Sequence, residues 1–248
     1  GSGSHTIEIT DLKVYSGVTS VTTPATWTGN IADLSGCIAY YNFEQTSGNL
    51  INQATTASGF TDGLGTALVG TNSGATQTAT GKIGNAWDFD GTNDYVSTST
   101  NASIPIGTEP FSFNIWVNPD TFTSYNTMFS LGTGADNQAL YITNDGNAND
   151  GGIEVHRYNG AVVTSGSTNM ILNAWNMVTL TYTGSSVLLF LDGVQVGSAT
   201  HSFGTNDTGI RIGKNTHGGE FWGGRLDEFS VWTRVLTPAE ITTLYNSG

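Results

Sequence analysis

Two segments set far apart in this 248-residue chain constrain its fold more than any other feature. Trp87-Asp88-Phe89-Asp90-Gly91-Thr92-Asn93-Asp94-Tyr95-Val96 reads as a strand running into a tight turn, and Gly223-Gly224-Arg225-Leu226-Asp227-Glu228-Phe229-Ser230-Val231-Trp232 reads as a second strand. In each, apolar residues alternate with polar ones, the period at which a strand turns one face to a core. Each also carries acidic side chains at its end or turn.

The same period recurs along the chain. Strands are expected over Phe111 to Val117, Asn126 to Leu131, Ala139 to Thr143, Gly152 to Tyr158, Trp175 to Tyr182, Val187 to Leu191, Gly209 to Ile212 and Arg225 to Trp232. Asp192-Gly193 sits between two apolar runs, a strong hairpin signal because both residues tolerate positive φ. One segment carries a helical pattern. Thr237 suits an N-cap, Pro238 the first helical position and Glu240 the third, while Ile241, Leu244 and Tyr245 fall on one face. Many strands and a single closing helix predict an all-β, antiparallel two-sheet architecture.

Charge bounds the partners. Seven Lys and Arg against 20 Asp and Glu give a formal charge of −13. Nucleic-acid binding needs clustered cations to neutralise phosphates, and none occur here. Nucleic acid, anionic membranes and polyanionic sugars are therefore excluded as expected partners, and calcium or neutral glycans suit the field better. The lone cysteine, Cys37, can form no intrachain disulfide and reads as a small buried hydrophobe.

The first five residues, Gly1 to His5, read as a cloning remnant. Residues 6–35 form an N-terminal extension: Ile9 to Tyr15 echoes Leu226 to Trp232 in spacing and reads as an edge strand of this domain or, alternatively, as the last strand of a preceding repeat, and 16–35, rich in Thr and Ser, as a linking excursion. The main domain is expected over 36–248.

Several landmarks, met in order, resemble the laminin-G-like, concanavalin-A-like jelly-roll family: Cys37 to Glu44, Asn52 to Gly63, Phe89-Asp90-Gly91 with Asp94-Tyr95-Val96, Phe111 to Val117, Trp175 to Tyr182, Leu191-Asp192-Gly193 and Leu226-Asp227-Glu228. The resemblance implies a jelly-roll sandwich in which the early and late thirds of the chain pair. It also implies a structural calcium where the early loop meets the last strand, which here points to Asn52, Asp62 and Asp227. The alternative reading of these three is that they stabilise turns and a strand end. The same scaffold carries lectins, adhesion modules and glycan-cleaving enzymes, so function must be argued from a site.

For a glycan, that site needs aromatic faces and planar polar groups. His156 and Tyr158 form the best constellation, with Trp222 beside them if its bracketing glycines mark a protruding loop rather than close packing. Trp87, Trp116, Trp175 and Trp232 lie within apolar strands and read as core. Asp145, Asn147 and Asn149 repeat the one-three-five oxygen spacing of an EF-hand loop, but Asp150 stands where Gly is required and His156 where a bidentate Glu is required. This segment reads as a hairpin loop, with Asp145 and Asn147 as candidate ligand contacts. No catalytic residues are expected. The Glu-x-Asp-x-Glu strand of retaining glycosidases of this sandwich is absent, and Glu154 with His156, which share a strand face, read as a surface contact before an acid–base pair.

The expected function is a non-catalytic, extracellular or cell-surface module that binds a neutral glycan or another surface ligand, calcium-stabilised and cut from a larger secreted, cell-surface or viral protein with neighbouring domains. A structural spacer or assembly domain is the second expectation, and a glycan-cleaving enzyme the third.

Overall fold

The computed structural model describes residues 33–55, 60–122, 125–135, 138–144, 150–206 and 209–248. The expected edge strand Ile9 to Tyr15, and both Asp145 and Asn147, lie outside them. In chain order the strands are β1 (Cys37–Tyr41), β2 (Thr71–Ser73), β3 (Thr76–Thr80), β4 (Asn85–Asp90), β5 (Tyr95–Ser97), β6 (Phe111–Pro119), β7 (Thr127–Gly132) and β8 (Ala139–Asn144). They continue as β9 (Ile153–Arg157), β10 (Gly160–Thr164), β11 (Asn176–Tyr182), β12 (Ser186–Leu191), β13 (Val194–Thr200), β14 (Ile210–Ile212) and β15 (Gly223–Trp232), followed by the helix α1 (Pro238–Ser247).

Among the described residues these strands make two antiparallel sheets. One has eight strands in the order β13-β12-β11-β6-β15-β4-β3, with β1 also paired to β15; the other has seven in the order β10-β9-β8-β7-β14-β5-β2. The last strand is thus bonded to the first, and the two segments first read from the sequence meet directly, Leu226 opposite Trp87 and Gly223 opposite Asp90. This is the expected all-β jelly-roll sandwich with one short C-terminal helix.

The eight-stranded sheet is covered on both faces. Along β6, Phe113, Ile115 and Val117 enter the main core, whereas Trp116 joins a second cluster with Trp232, Leu236, Ile241 and Leu244 beneath α1. All nine residues of β6 are buried, which explains an apolar character too dense for a strand with one wet face. The helix is fixed locally as expected. The Thr237 side chain accepts from the Glu240 N–H and Glu240 reaches back to the Thr237 N–H, a complete capping box. Tyr245, though half-exposed, stacks its ring on Trp116 at 5.7 Å.

Inside the sandwich, Phe229 of β15 bridges the sheets. Its ring lies 6.0 Å from Tyr41 and 6.4 Å from Phe113 on its own sheet, and 5.3 Å from Phe129 on the other. The Asp192-Gly193 hairpin forms with both residues at positive φ, 50° and 79°. In the first turn the Asp90 carboxylate accepts the Thr92 and Asn93 N–H groups at 2.8 and 3.2 Å, so Asp90 shapes a turn.

Replacing Phe229 by Ala opens a cavity between the sheets. The expected loss is about 3–5 kcal/mol of unfolding free energy, read from a denaturant titration with unchanged slope. A loss near 1 kcal/mol would mean that the sheets do not meet through this ring.

Candidate functional site

With the outer face of the eight-stranded sheet covered, attention falls on that of the seven-stranded one. Along β8, Leu140 and Ile142 point into the core and Tyr141 points out; along β9, Ile153 and Val155 point in, leaving Glu154 and His156 out. Register sets Tyr141 directly opposite His156, and the two rings stack at 5.1 Å with an interplanar angle of 27°. Glu154 and His156, two apart on one face, are joined by a 2.5 Å contact between Nε2 and Oε2, so the imidazole is pinned. Tyr125 meets the other side of His156 edge-on at 5.6 Å.

The loop from 213 to 222 supplies the opposite wall. The Ser130 hydroxyl donates to the Lys214 carbonyl at 2.6 Å, fastening the loop to the sheet. Asn215 then organises its tip. Its Oδ1 accepts the Gly218 N–H at 2.8 Å, which fixes the amide so that Nδ2 donates to Glu220 Oε2 at 2.6 Å and faces His217 Nε2 at 3.5 Å. His217 Nε2 therefore carries a lone pair, the arrangement of a neutral imidazole. Burial holds the His217 pKa below the ordinary value, with His156 acting in the same direction and Glu220 against it. The His217 ring lies 5.4 Å from Tyr141 and 4.6 Å from Tyr158. The bareness of Gly134 permits this approach, since a Cβ there would fall 2.5 Å from that of His217.

The result is an open cleft of about 260 Å³ whose walls are Tyr125, Tyr141, Tyr158, His156, His217 and Glu220. Two of the expected ligand residues, His156 and Tyr158, stand in it together. Tyr125, Tyr141, His217 and Glu220 were not singled out in the sequence. Tyr141 is hidden inside an apolar strand and reaches the site only through its register with His156, and His217 carries no signal beyond its glycine-rich surroundings.

Trp222 corrects an expectation. It is 1% exposed and part of the main core, its N–H bonded to the Gly213 carbonyl and its carbonyl to the Gly91 N–H. The glycines after it serve close packing: Gly224 has φ of 123°, and a Cβ there would fall 2.3 Å from the Asn118 carbonyl oxygen. Trp222 therefore has no face to offer a ligand.

The three residues expected to hold calcium are employed separately. Asn52 Oδ1 accepts the Tyr40 and Ala54 N–H groups, each at 2.9 Å, and its Nδ2 donates to the Ile38 carbonyl at 3.0 Å. Asp62, at the surface, accepts the Gly36 N–H at 2.6 Å. Asp227 accepts three backbone N–H groups, those of Lys82, Ile83 and Glu228, at 2.9, 3.1 and 2.9 Å. Asn52 Oδ1 and the Asp227 carboxylate, met by two and three N–H donors, are a poor fit to a calcium shell, which needs lone pairs converging on a point. Near Asp227 lies Glu228 instead. Burial first, then mutual repulsion, raises the Asp227 pKa well above the carboxylate range; burial also raises that of Glu228, which accepts the Tyr40 hydroxyl at 2.5 Å. Among the described residues no group of three or more His, Cys, Asp or Glu is arranged to hold a metal ion.

Known proteins share this architecture. Residues 90–242, more than half of the chain, match the Laminin_G_3 family, described as the concanavalin A-like lectin/glucanases superfamily. Domain 4 of AbnA, a GH43 extracellular arabinanase from Geobacillus stearothermophilus, solved in complex with arabinotriose, aligns at a TM-score of 0.60 with 19% identity over 84% of this chain and 98% of that one. The binding domain of Paraclostridial Mosquitocidal Protein 1 aligns at 0.63 with 16% identity, over 86% of this chain and 52% of that one. Trypanosoma rangeli sialidase, in complex with 2,3-difluorosialic acid, aligns at 0.62 with 11% identity over 85% of this chain, which spans only 33% of the sialidase. At these identities the likeness is one of fold. No curated protein matches the sequence.

Replacing Asn52 by Ala removes the acceptor of the Tyr40 and Ala54 N–H groups and one of the donors to the Ile38 carbonyl. It should cost about 2–3 kcal/mol, and by the same amount in calcium as in EDTA. A loss seen only with calcium present would restore the metal role to this residue.

Proposed function

We propose that this chain, which belongs to the concanavalin A-like lectin/glucanases superfamily, works as a non-catalytic glycan-binding module whose ligand sits in the cleft between β8, β9 and the 213–222 loop. The observation that carries this reading is the cleft itself: three tyrosine rings and two imidazoles converge on one open depression, with Glu220 at its rim. Aromatic faces pack against the C–H faces of a sugar ring, and planar polar groups around them bond its hydroxyls. His217, neutral and held by Asn215, offers such a group, and Tyr158 offers a ring on a short hairpin between β9 and β10.

The absence of catalysis is part of the same reading. Glu220, the carboxylate that lines the cleft, has a fixed structural neighbour in the Asn215 amide, and Glu154 nearby is bonded to the His156 imidazole. A glycosidase needs instead two carboxyl groups facing each other across the scissile bond. The similarity to a domain solved with arabinotriose supports an oligosaccharide as the ligand class, and its place in an extracellular enzyme supports a secreted or cell-surface setting within a larger protein. Calcium has no part in this proposal.

Two outcomes test it. Tyr158→Ala and His217→Ala should each weaken binding to the glycans that score on an array by about tenfold or more, the scale of removing one buried contact group, with thermal midpoints close to that of the parent. Unchanged affinity in both variants would move the site elsewhere.

Binding should also weaken on acidification. The folded His217 releases its proton more readily than an unfolded one, so the neutral form dominates at pH 7, and protonation on the acid side of the ordinary imidazole range breaks its contact with the Asn215 amide and adds charge beside His156. Isothermal titrations across pH 5 to 8 should show affinity falling toward the acid end, and His217→Gln should flatten that profile.

A further inference from the structure

The cleft is not electrically neutral, and its sign restricts the sugar. Among the described residues no Lys or Arg lines it. Lys214, on the same loop, is turned away onto the rings of Tyr95 and Phe221, at 4.5 and 5.2 Å. Arg211, which shares the outer face of the seven-stranded sheet, points a guanidinium nitrogen at the Gly132 carbonyl.

One carboxylate lines the cleft instead, that of Glu220 on the loop, whose Oε2 accepts from the Asn215 amide. Among the described residues its Oε1 has no protein partner and is not sealed from water. With it stand the rings of Tyr125, Tyr141 and Tyr158, whose faces carry the negative side of a π quadrupole. The field is felt at Tyr141: burial first, then the charges of Glu220 and Glu154 with the neighbouring phenols, holds its hydroxyl above the ordinary phenol range. His217 adds no charge, its Nε2 lone pair facing the Asn215 donor.

An array of π faces, a carboxylate and an uncharged imidazole suits a cation bearing N–H donors, and the formal charge of −13 steers such a ligand inward. Resting on the cleft as a glycan site, we infer that its preferred ligand is a basic sugar, an oligosaccharide with free protonated amines such as a de-N-acetylated hexosamine chain, with the ammonium held between Glu220 and the tyrosine rings. A uronic or sialic acid would meet a like charge there. An N-acetylated sugar would lose the charge and keep only the stacking and the hydroxyl contacts.

The test compares two ligands of equal length and linkage, a glucosamine oligosaccharide and its fully N-acetylated form, titrated calorimetrically into the full chain in low-salt buffer just above the titration of His217. The free amine should bind about tenfold more tightly, and the preference should shrink as salt rises toward molar. Glu220→Gln should reduce the ratio of the two affinities to near one. Circular dichroism and the thermal midpoint check that the variant folds.

Equal affinities for the two sugars, or a preference that survives Glu220→Gln, would overturn the inference while leaving the cleft as a glycan site. If neither sugar binds but other glycans do, through Tyr158 and His217, the inference falls and the site stands. If no glycan binds at all, both fall.

Discussion

One extra residue in the last strand organises the rest of the molecule. In Leu226-Asp227-Glu228-Phe229-Ser230-Val231, the apolar residues that enter the core are 226, 229 and 231, so the spacing is three and then two. A strand of strict alternation would send Phe229 to the wrong face. The chain resolves this with a bulge: the register of β15 against β6 slips between Asp227 and Ser230, and Glu228 takes a positive φ of 52°. Phe229 and Val231 return to the core, β1 pairs with the strand beyond the bulge, and Asp227 and Glu228 are left side by side away from the core. Asp227 then fastens the 81–84 turn by two N–H groups, and Glu228 takes the Tyr40 hydroxyl of β1. Two acids that look like chemistry in the sequence are the fasteners of a strand that three others share.

That strand also explains which features of the sequence were legible. The capping box at Thr237 and Glu240 and the Asp192-Gly193 hairpin are set by residues three apart or less, so they can be read without knowing what packs on them. The long strands β6, β11 and β15 announce themselves by apolar alternation. β2, β3 and β10 do not: Thr76-Gln77-Thr78-Ala79-Thr80 is a polar strand near a sheet edge, its residues alternating between exposed and half-buried, and its pairing is dictated by β4 rather than by its own pattern. Trp222 misled because glycine has two uses, to let a loop protrude and to let backbones approach, and only the neighbouring strand decides between them.

The cleft was half legible for a related reason. His156 and Tyr158 lie near an acidic hairpin and stand out, whereas Tyr141 looks like one more apolar strand residue until register sets it against His156. Glu220 and His217 depend on Asn215, whose amide both turns the loop and orients them. A site assembled from two strands and a separate loop leaves no contiguous motif in the chain, because its spacing exists only across the sheet.

The position of the cleft follows from the covering of the sheets. α1 lies on the outer face of the eight-stranded sheet and buries Trp116, Trp232 and Leu236 under Ile241 and Leu244, so that face is spent on stability. Among the described residues the outer face of the seven-stranded sheet has no such helix, and the residues it turns outward, Tyr141, Glu154 and His156, are polar or amphipathic, with the 213–222 loop folded over only part of them. A sandwich that uses one outer face for a helix has one left on which to gather rings and hydrogen-bonding groups without cost to its core. The same division accounts for the acids. Asp227 and Glu228, on the covered side, are sealed and their protons held tightly, whereas Glu220, on the open side, lines a cleft that an incoming ligand can reach.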